Sequence, residues 1–285
     1  MDREEEVQAR DSLRKWLRRV GLITYGSVLS LIIIIAAGKA QAIPNGGYAH
    51  PEVLIQPEEL KTLIDKKDSN LRIIDIREKL KYLAGHIPGA VHVWRPDITD
   101  KNHPIPGMMA PKDQIENLMG SLGIGNQNTI VIYSGGSDNA RLWWTLAYSG
   151  FPLNQMKLLD GGIEAWKRKG YPTDIAPRSL EKTGFKFERE VEAREALLCT
   201  LKEVKEALKD QRKVVLDVRS EKEYLGKETK SGAAKPGRIP GVIWIEWTEV
   251  LVGEGPYKGY WKSGEEIKKI FSKEGVTPEK DIFLY

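Results

Sequence analysis

Cysteine is nearly absent. Cys199 stands alone among 285 residues, so no disulfide can close within the chain and no cysteine-based zinc site can form. Histidine is scarce as well. His50, His86, His92 and His103 are the four, and none stands at a metal-ligand spacing such as HExxH. Neither a metal nor a cofactor is expected. A dominant charge is missing too: 44 basic against 40 acidic side chains leave a net +4. That excess is too weak and too dispersed to argue for nucleic acid. What remains is an ordinary globular balance of 41 % hydrophobic and 29 % charged residues. The length suits about two domains of ~100–200 residues each.

A long apolar run occurs at the N-terminus. The basic stretch Arg14 to Arg19 precedes "GLITYGSVLSLIIIIAAG", Gly21 to Gly38, and then "KAQA". Ala40 and Ala42 fit the small-residue rule for signal peptidase. Residues 1–42 therefore read as a signal peptide or an uncleaved membrane anchor. Basic residues ahead of the run keep the N-terminus cytoplasmic on either reading. The rest of the chain is expected to be exported, periplasmic or anchored outside the cytoplasm. Membrane contact is then confined to residues 20–38, if they are retained.

Beyond this segment the chain contains itself twice. "LRIIDIREKLKYLAG" parallels "KVVLDVRSEKEYLG", with Asp75, Arg77 and Tyr82 matching Asp217, Arg219 and Tyr224 at an offset of 142. "HIPGAVHV" parallels "RIPGVIWI", and "LGIGNQNTIVIY" parallels "EGVTPEKDIFLY", both at an offset of 152. Repeats this long mean two like domains rather than a solenoid. "RIIDI", "TIVIY" and "VVLDV" are short, apolar and bounded by charge, as parallel strands buried on both faces are. "PEELKTLIDK" and "TLKEVKEALKD" carry apolar residues at helical spacing. The alternation predicts an α/β fold, two tandem domains each with a small parallel sheet flanked by helices. The expected boundaries are 55–177, a linker over 178–197, and 198–285.

These residues resemble the rhodanese family. "DIR…YLAGHIPGAVHV", "VIYS…ARLWW" and "LLDGGIEAWKRKGYP" carry the likeness in the first repeat, and "LDVRSEKEYLG" with "GRIPGVIWI" in the second. It spans nearly everything from Ile55 to Tyr285. Tandem pairs in this family are similar to thiosulfate or 3-mercaptopyruvate sulfurtransferases. The resemblance implies a small-molecule sulfur donor, a thiophilic acceptor, and a catalytic cysteine in the second domain. In the family that cysteine follows directly after the strand ending I-x-Y, in a loop such as C-x-x-G-x-R. The expected nucleophile position is therefore the one after Tyr285, and no catalytic nucleophile is expected within residues 1–285.

Sulfur transfer needs a soft nucleophile that can hold a sulfane sulfur as a persulfide. Ser134 occupies the equivalent place in the first repeat, and a hydroxyl cannot form a persulfide. The first domain therefore reads as non-catalytic. Cys199 has no glycine-rich loop after it and reads as a small core residue. Arg219 is a candidate for holding an anionic donor, because a guanidinium presents fixed donors to an oxyanion. Asp217 reads as its structural partner near the site. The same pair in the first repeat, Asp75 with Arg77, keeps a purely structural ion pair open. Some tandem members carry a second arginine where Glu223 stands. Trp244 and Trp247 suit either a cleft wall or the core, while Lys235 and Lys262 read as solvated charges.

The second repeat, as far as Tyr285, lacks the 44 residues that follow Tyr133 in the first, so its last strand is expected to be an uncovered edge. A selenocysteine read from UGA would place a soft nucleophile directly after Tyr285. A boundary of the sequenced piece and a nonsense codon are the competing accounts of that position. The alternative function is a silent pair of domains that binds a partner or an anion.

Overall fold

The computed structural model describes residues 20–22, 46–187, 197–229 and 233–285. The strands among them are β1 (Val20–Leu22), β2 (Leu54–Ile55), β3 (Leu71–Asp75), β4 (Ala90–His92), β5 (Thr129–Tyr133), β6 (Met156–Leu159), β7 (Lys213–Asp217), β8 (Ile243–Trp244) and β9 (Asp281–Leu284). The helices are α1 (Pro57–Asp65), α2 (Lys79–Leu83), α3 (Lys112–Ser121), α4 (Asp138–Ser149), α5 (Gly162–Arg168), α6 (Leu201–Ala207), α7 (Glu221–Tyr224) and α8 (Gly264–Lys273). They form two wholly parallel sheets, in the orders β2-β6-β5-β3-β4 and β1-β9-β7-β8.

Local chemistry sets the helix starts. Pro57 opens α1, where its missing N–H costs nothing, and the Glu59 carboxylate accepts from the Gln56 N–H at 3.0 Å. In the second half the hydroxyls of Thr200, Ser220 and Ser263 cap α6, α7 and α8 through reciprocal bonds with Glu203, Glu223 and Glu266.

Strand alternation divides the core. Ile130 and Ile132 of β5 face one way, into a cluster that also holds Ile74, Trp144, Leu216, Ile267, Ile282 and Leu284 from both halves. Val131 and Tyr133 face the other way, into a cluster of the first half alone with Leu60, Ile87 and Trp166. Val215 and Phe283 have a smaller cluster of their own in the second half. Each fully buried aliphatic side chain contributes about 1.5–3 kcal/mol. One face of each sheet thus looks into a core that the two halves share, and the other face into a cluster of its own half.

The repeat holds in three dimensions. β3, β4 and β5 match β7, β8 and β9, and the bridge Thr99–Met109 recurs as Leu251–Trp261. α4, β6 and α5 have no counterpart among residues up to Tyr285. The edge of β9 is not left uncovered as the repeat alone suggests: β1 pairs with it in parallel, Val20 opposite Ile282 through Leu22 opposite Leu284. An open strand edge presents a row of unpaired N–H and C=O groups to any extended apolar segment.

Two other expectations need correcting or placing. The predicted linker is part of the first half over 178–187. Phe185 and Phe187 are buried, and Thr183 N donates to Gly120 O at 2.9 Å. Lys186 pairs with Glu116 at 2.6 Å. Its apolar residues, hidden among charges, decide that. Apart from Val20–Leu22, the leader or anchor expected over 1–42 lies outside the described residues. Among the described residues no helix is long and apolar enough to cross a membrane.

Candidate active site

Asp75 ends β3 and is fully buried. Arg77, two residues on, turns back onto it: Nε donates to Oδ1 at 2.9 Å and Nη2 to Oδ2 at 2.6 Å. The second Nη2 hydrogen reaches Gly85 O at 2.7 Å. The Tyr133 hydroxyl, at the end of the neighbouring strand, donates to Asp75 Oδ2 at 2.7 Å and accepts from Ile87 N at 3.0 Å. Burial drives the Tyr133 phenol far above its ordinary range, and the Asp75 charge adds to it. Burial works against the Arg77 cation, but its bonds to Asp75 outweigh that and hold its pKa raised.

The second half repeats this network. Arg219 Nε donates to Asp217 Oδ1 at 2.9 Å, and Nη2 donates to Oδ2 at 2.6 Å and to Gly237 O at 2.8 Å. Tyr285 accepts from Ile239 N at 3.1 Å, lies within hydrogen-bonding reach of Asp217, and has the Arg219 Cζ 5.0 Å from its ring centroid. Burial pushes the Tyr285 phenol up to about 12. The hydrogen bonds to Asp217 raise the Arg219 pKa. The repeat extends outward to the ring stack. His92 Nε2 donates to Arg77 O at 2.8 Å, and Trp244 Nε1 donates to Arg219 O at 2.9 Å. His86–Tyr82–His92 in the first half becomes Arg238–Tyr224–Trp244 in the second.

One difference separates the two networks. The Arg77 side chain is 8 % exposed and that of Arg219 is 22 %. Three of the five Arg219 hydrogens are engaged by Asp217 and Gly237. The Nη1 pair is not, and it is the part of Arg219 able to meet an anion. Glu223, where the second arginine of some relatives would stand, is 8 % exposed and accepts from Ser220 Oγ at 2.7 Å as the cap of α7.

In the first half the network leads directly into the loop Ser134–Ser137 ahead of α4. Ser134 Oγ donates to Gly136 O at 2.6 Å and accepts from Gly136 N at 3.1 Å. Among the described residues neither a histidine nor a carboxylate is bonded to it, so none of them activates it as a nucleophile. A Cβ at Gly135 would meet only Arg77 Cδ, at 3.9 Å, which puts the arginine directly beneath the loop. From behind, Gly162 (φ +57°) supports it: a Cβ there would lie 2.3 Å from Ser134 O, so no side chain fits.

Cys199 takes no part in the network's hydrogen bonds among the described residues. It packs against the cluster of Val204, Val215 and Phe283, and burial pushes its thiol up to about 12. Such a thiol is inert. Trp244 is half-buried in the ring stack, and Trp247 packs on the shared core. Lys262 Nζ donates to Glu249 O. Two parts of the site were missed in the sequence: the tyrosine that closes each network, and the carbonyls of Gly85 and Gly237. Tyr133 and Tyr285 do align in the repeat, so that signal was present.

The Rhodanese-like domain profile matches residues 56–169 and 200–285. The chain belongs to the rhodanese family. It is 30 % identical over 250 residues to the sulfur carrier protein TtuD of Thermus thermophilus, covering 84 % of each chain. Thiosulfate sulfurtransferase of Azotobacter vinelandii is 28 % identical over 243 residues, covering 84 % of this chain and 83 % of its own. Human 3-mercaptopyruvate sulfurtransferase is 28 % identical over 202 residues, with 69 % and 65 % covered. Among solved structures, SseA of Escherichia coli aligns over 81 % of this chain and 87 % of its own, with a TM-score of 0.69 at 24 % identity. That last likeness speaks for the fold alone. The rhodanese relatives just named are sulfur-handling proteins, and two of the three are sulfurtransferases by name.

Proposed function

We propose that this rhodanese chain moves sulfane sulfur from thiosulfate or 3-mercaptopyruvate to a thiophilic acceptor, through a persulfide on the residue following Tyr285. One observation carries the reading. The network Asp217–Arg219–Tyr285 repeats Asp75–Arg77–Tyr133, and the first copy delivers its strand end into a loop that begins at the very next residue. With thiosulfate as donor, the nucleophile attacks the outer sulfur. The S–S bond breaks and sulfite leaves with the electron pair. The acceptor then attacks the outer sulfur of the persulfide and the nucleophile leaves as its anion. Asp217 and Tyr285 hold Arg219 beneath the loop, where its Nη1 face meets the negative charge. Ser134 makes the first half the non-reacting partner.

The experiment is to read the codons after Tyr285 and assay the product. A cysteine codon, or UGA with an in-frame continuation resembling residues 135–177, supports the reading, as does cyanide-dependent thiocyanate formation by the resulting protein. Any other residue there, or an unrelated continuation, overturns it. Such a result leaves the silent binding pair. A polypeptide of residues 1–285 alone is expected to form no thiocyanate above the uncatalysed rate, with or without Cys199→Ser. Export is proposed as well, on the N-terminal charge and apolar pattern, and it would withdraw Val20–Leu22 from the edge of β9. A reporter active only outside the cytoplasm, fused after residue 50, tests it.

A further inference from the structure

The two halves meet at a buried acid that the sulfur chemistry does not use. Asp160 follows β6 and is fully buried. Its Oδ2 accepts from Gln56 Nε2 at 2.9 Å within the first half. Its Oδ1 accepts from the backbone N–H of Trp261, in the second half, at 2.9 Å. The Gly161 N–H is a further donor to this carboxyl. The junction around it is tight. A Cβ at Gly161 would lie 2.6 Å from the Tyr260 ring, and one at Gly264 would lie 2.1 Å from Gly47 O. The Tyr48 hydroxyl donates to Lys262 O at 2.6 Å, and Gly264 N donates to Gly46 O at 3.1 Å.

Among the described residues no cation answers this carboxylate. Tyr48, on the segment ahead of β2, and Tyr260, on the Leu251–Trp261 hairpin, are the titratable groups that feel its charge. At the end of α5, Arg168 donates to Lys258 O and Lys169 pairs with Glu58 of α1. Closing the junction therefore takes a carboxylate out of water and offers it N–H groups in place of a counter-ion. Desolvation without a counter-charge favours the protonated acid.

We propose that Asp160 is the latch between the two halves, holding the backbone of Trp261, and that seating the second half on it takes up a proton. The proposal stands apart from the sulfurtransferase reading. Burial raises the Asp160 carboxyl to about 6, while the N–H donors work against that rise. A solvated aspartate titrates near ~3.9. The sign follows: the closed form binds the extra proton between those values. The latch is tightest below pH ~4 and loosens as the pH rises through 6, by about a hundredfold in the closing equilibrium.

Amide exchange of the 285-residue chain, corrected for intrinsic rates, tests it. Asp160→Ala is expected to speed exchange at Trp261 at least tenfold and to leave the β5 amides protected. Asp160→Asn, of the same shape, is expected to keep Trp261 protected and to abolish its loosening between pH 4 and 6.5. Gln56→Ala gives a milder version of the Asp160→Ala result if that variant does not fold. Unchanged protection of Trp261 in Asp160→Ala or, where that does not fold, in Gln56→Ala overturns the latch. A wild-type pH dependence in Asp160→Asn overturns the proton uptake.

Discussion

The two halves carry the same network at the same place in the same sheet, and they differ in what surrounds it. In the first, β6 and α5 stand behind the loop after β5, and the Phe185–Phe187 strap packs against α3. In the second, β1 takes the sheet edge beside β9, and one face of the sheet looks into the core that the two halves share. On the proposed reading, Asp–Arg–Tyr pairing does not itself make a domain catalytic. Ser134 sits on a complete network and has no means of holding sulfur. On the proposed reading, what distinguishes the halves chemically is the residue placed after the network, together with the greater exposure of Arg219.

The largest effect that would break this comparison lies in the isolated fragments. Residues 51–187 are expected to fold alone, while 198–285 are not. The latter would lose the first half's share of the core around Val214, Leu216, Ile282 and Leu284, and would lose β1 from its edge. A soluble 198–285 fragment with a cooperative melt would show the second half to be independent.

Next in size are Asp75→Ala and Asp217→Ala. Removing Asp75 leaves Arg77 buried and uncompensated, at a cost of about 3–5 kcal/mol. The cost at Asp217 is smaller, about 1–3 kcal/mol, because Arg219 reaches water. Urea unfolding of both variants measures the difference, and equal losses would mean that the exposure of Arg219 has no energetic weight. The smallest effect is expected at Cys199. Cys199→Ala should cost about 1 kcal/mol or less, as the loss of one small half-buried group. A thiol reagent at pH 8 should label the native chain far more slowly than the unfolded one, because burial holds the thiol protonated. Rapid native labelling would give Cys199 a role that its surroundings do not suggest.

Much of the fold was legible in the residues. The period of "RIIDI", "TIVIY" and "VVLDV" gave buried parallel strands because side chains alternate faces and both faces are covered. The offset between Asp75 and Asp217 gave two like domains. The site was partly legible: Asp217, Arg219 and Ser134 were placed by alignment. The engagement of three Arg219 hydrogens was not, because carbonyls such as Gly237 O carry no sequence signature. Glu223 looked like a missing ligand and is a helix cap, a role set by Ser220 three residues earlier.

The sequence by itself determined the strand and helix periods, the tandem repeat and a single cysteine within residues 1–285. All of these depend on neighbours along the chain or on composition. Only the tertiary structure decided that Val20–Leu22 lies against β9, that the charged stretch 178–187 is a strap, and that Asp160 of one half holds Trp261 of the other. Each of these joins residues far apart in sequence. Their free energy comes from burying surface and pairing polar groups across that distance, which no local pattern encodes.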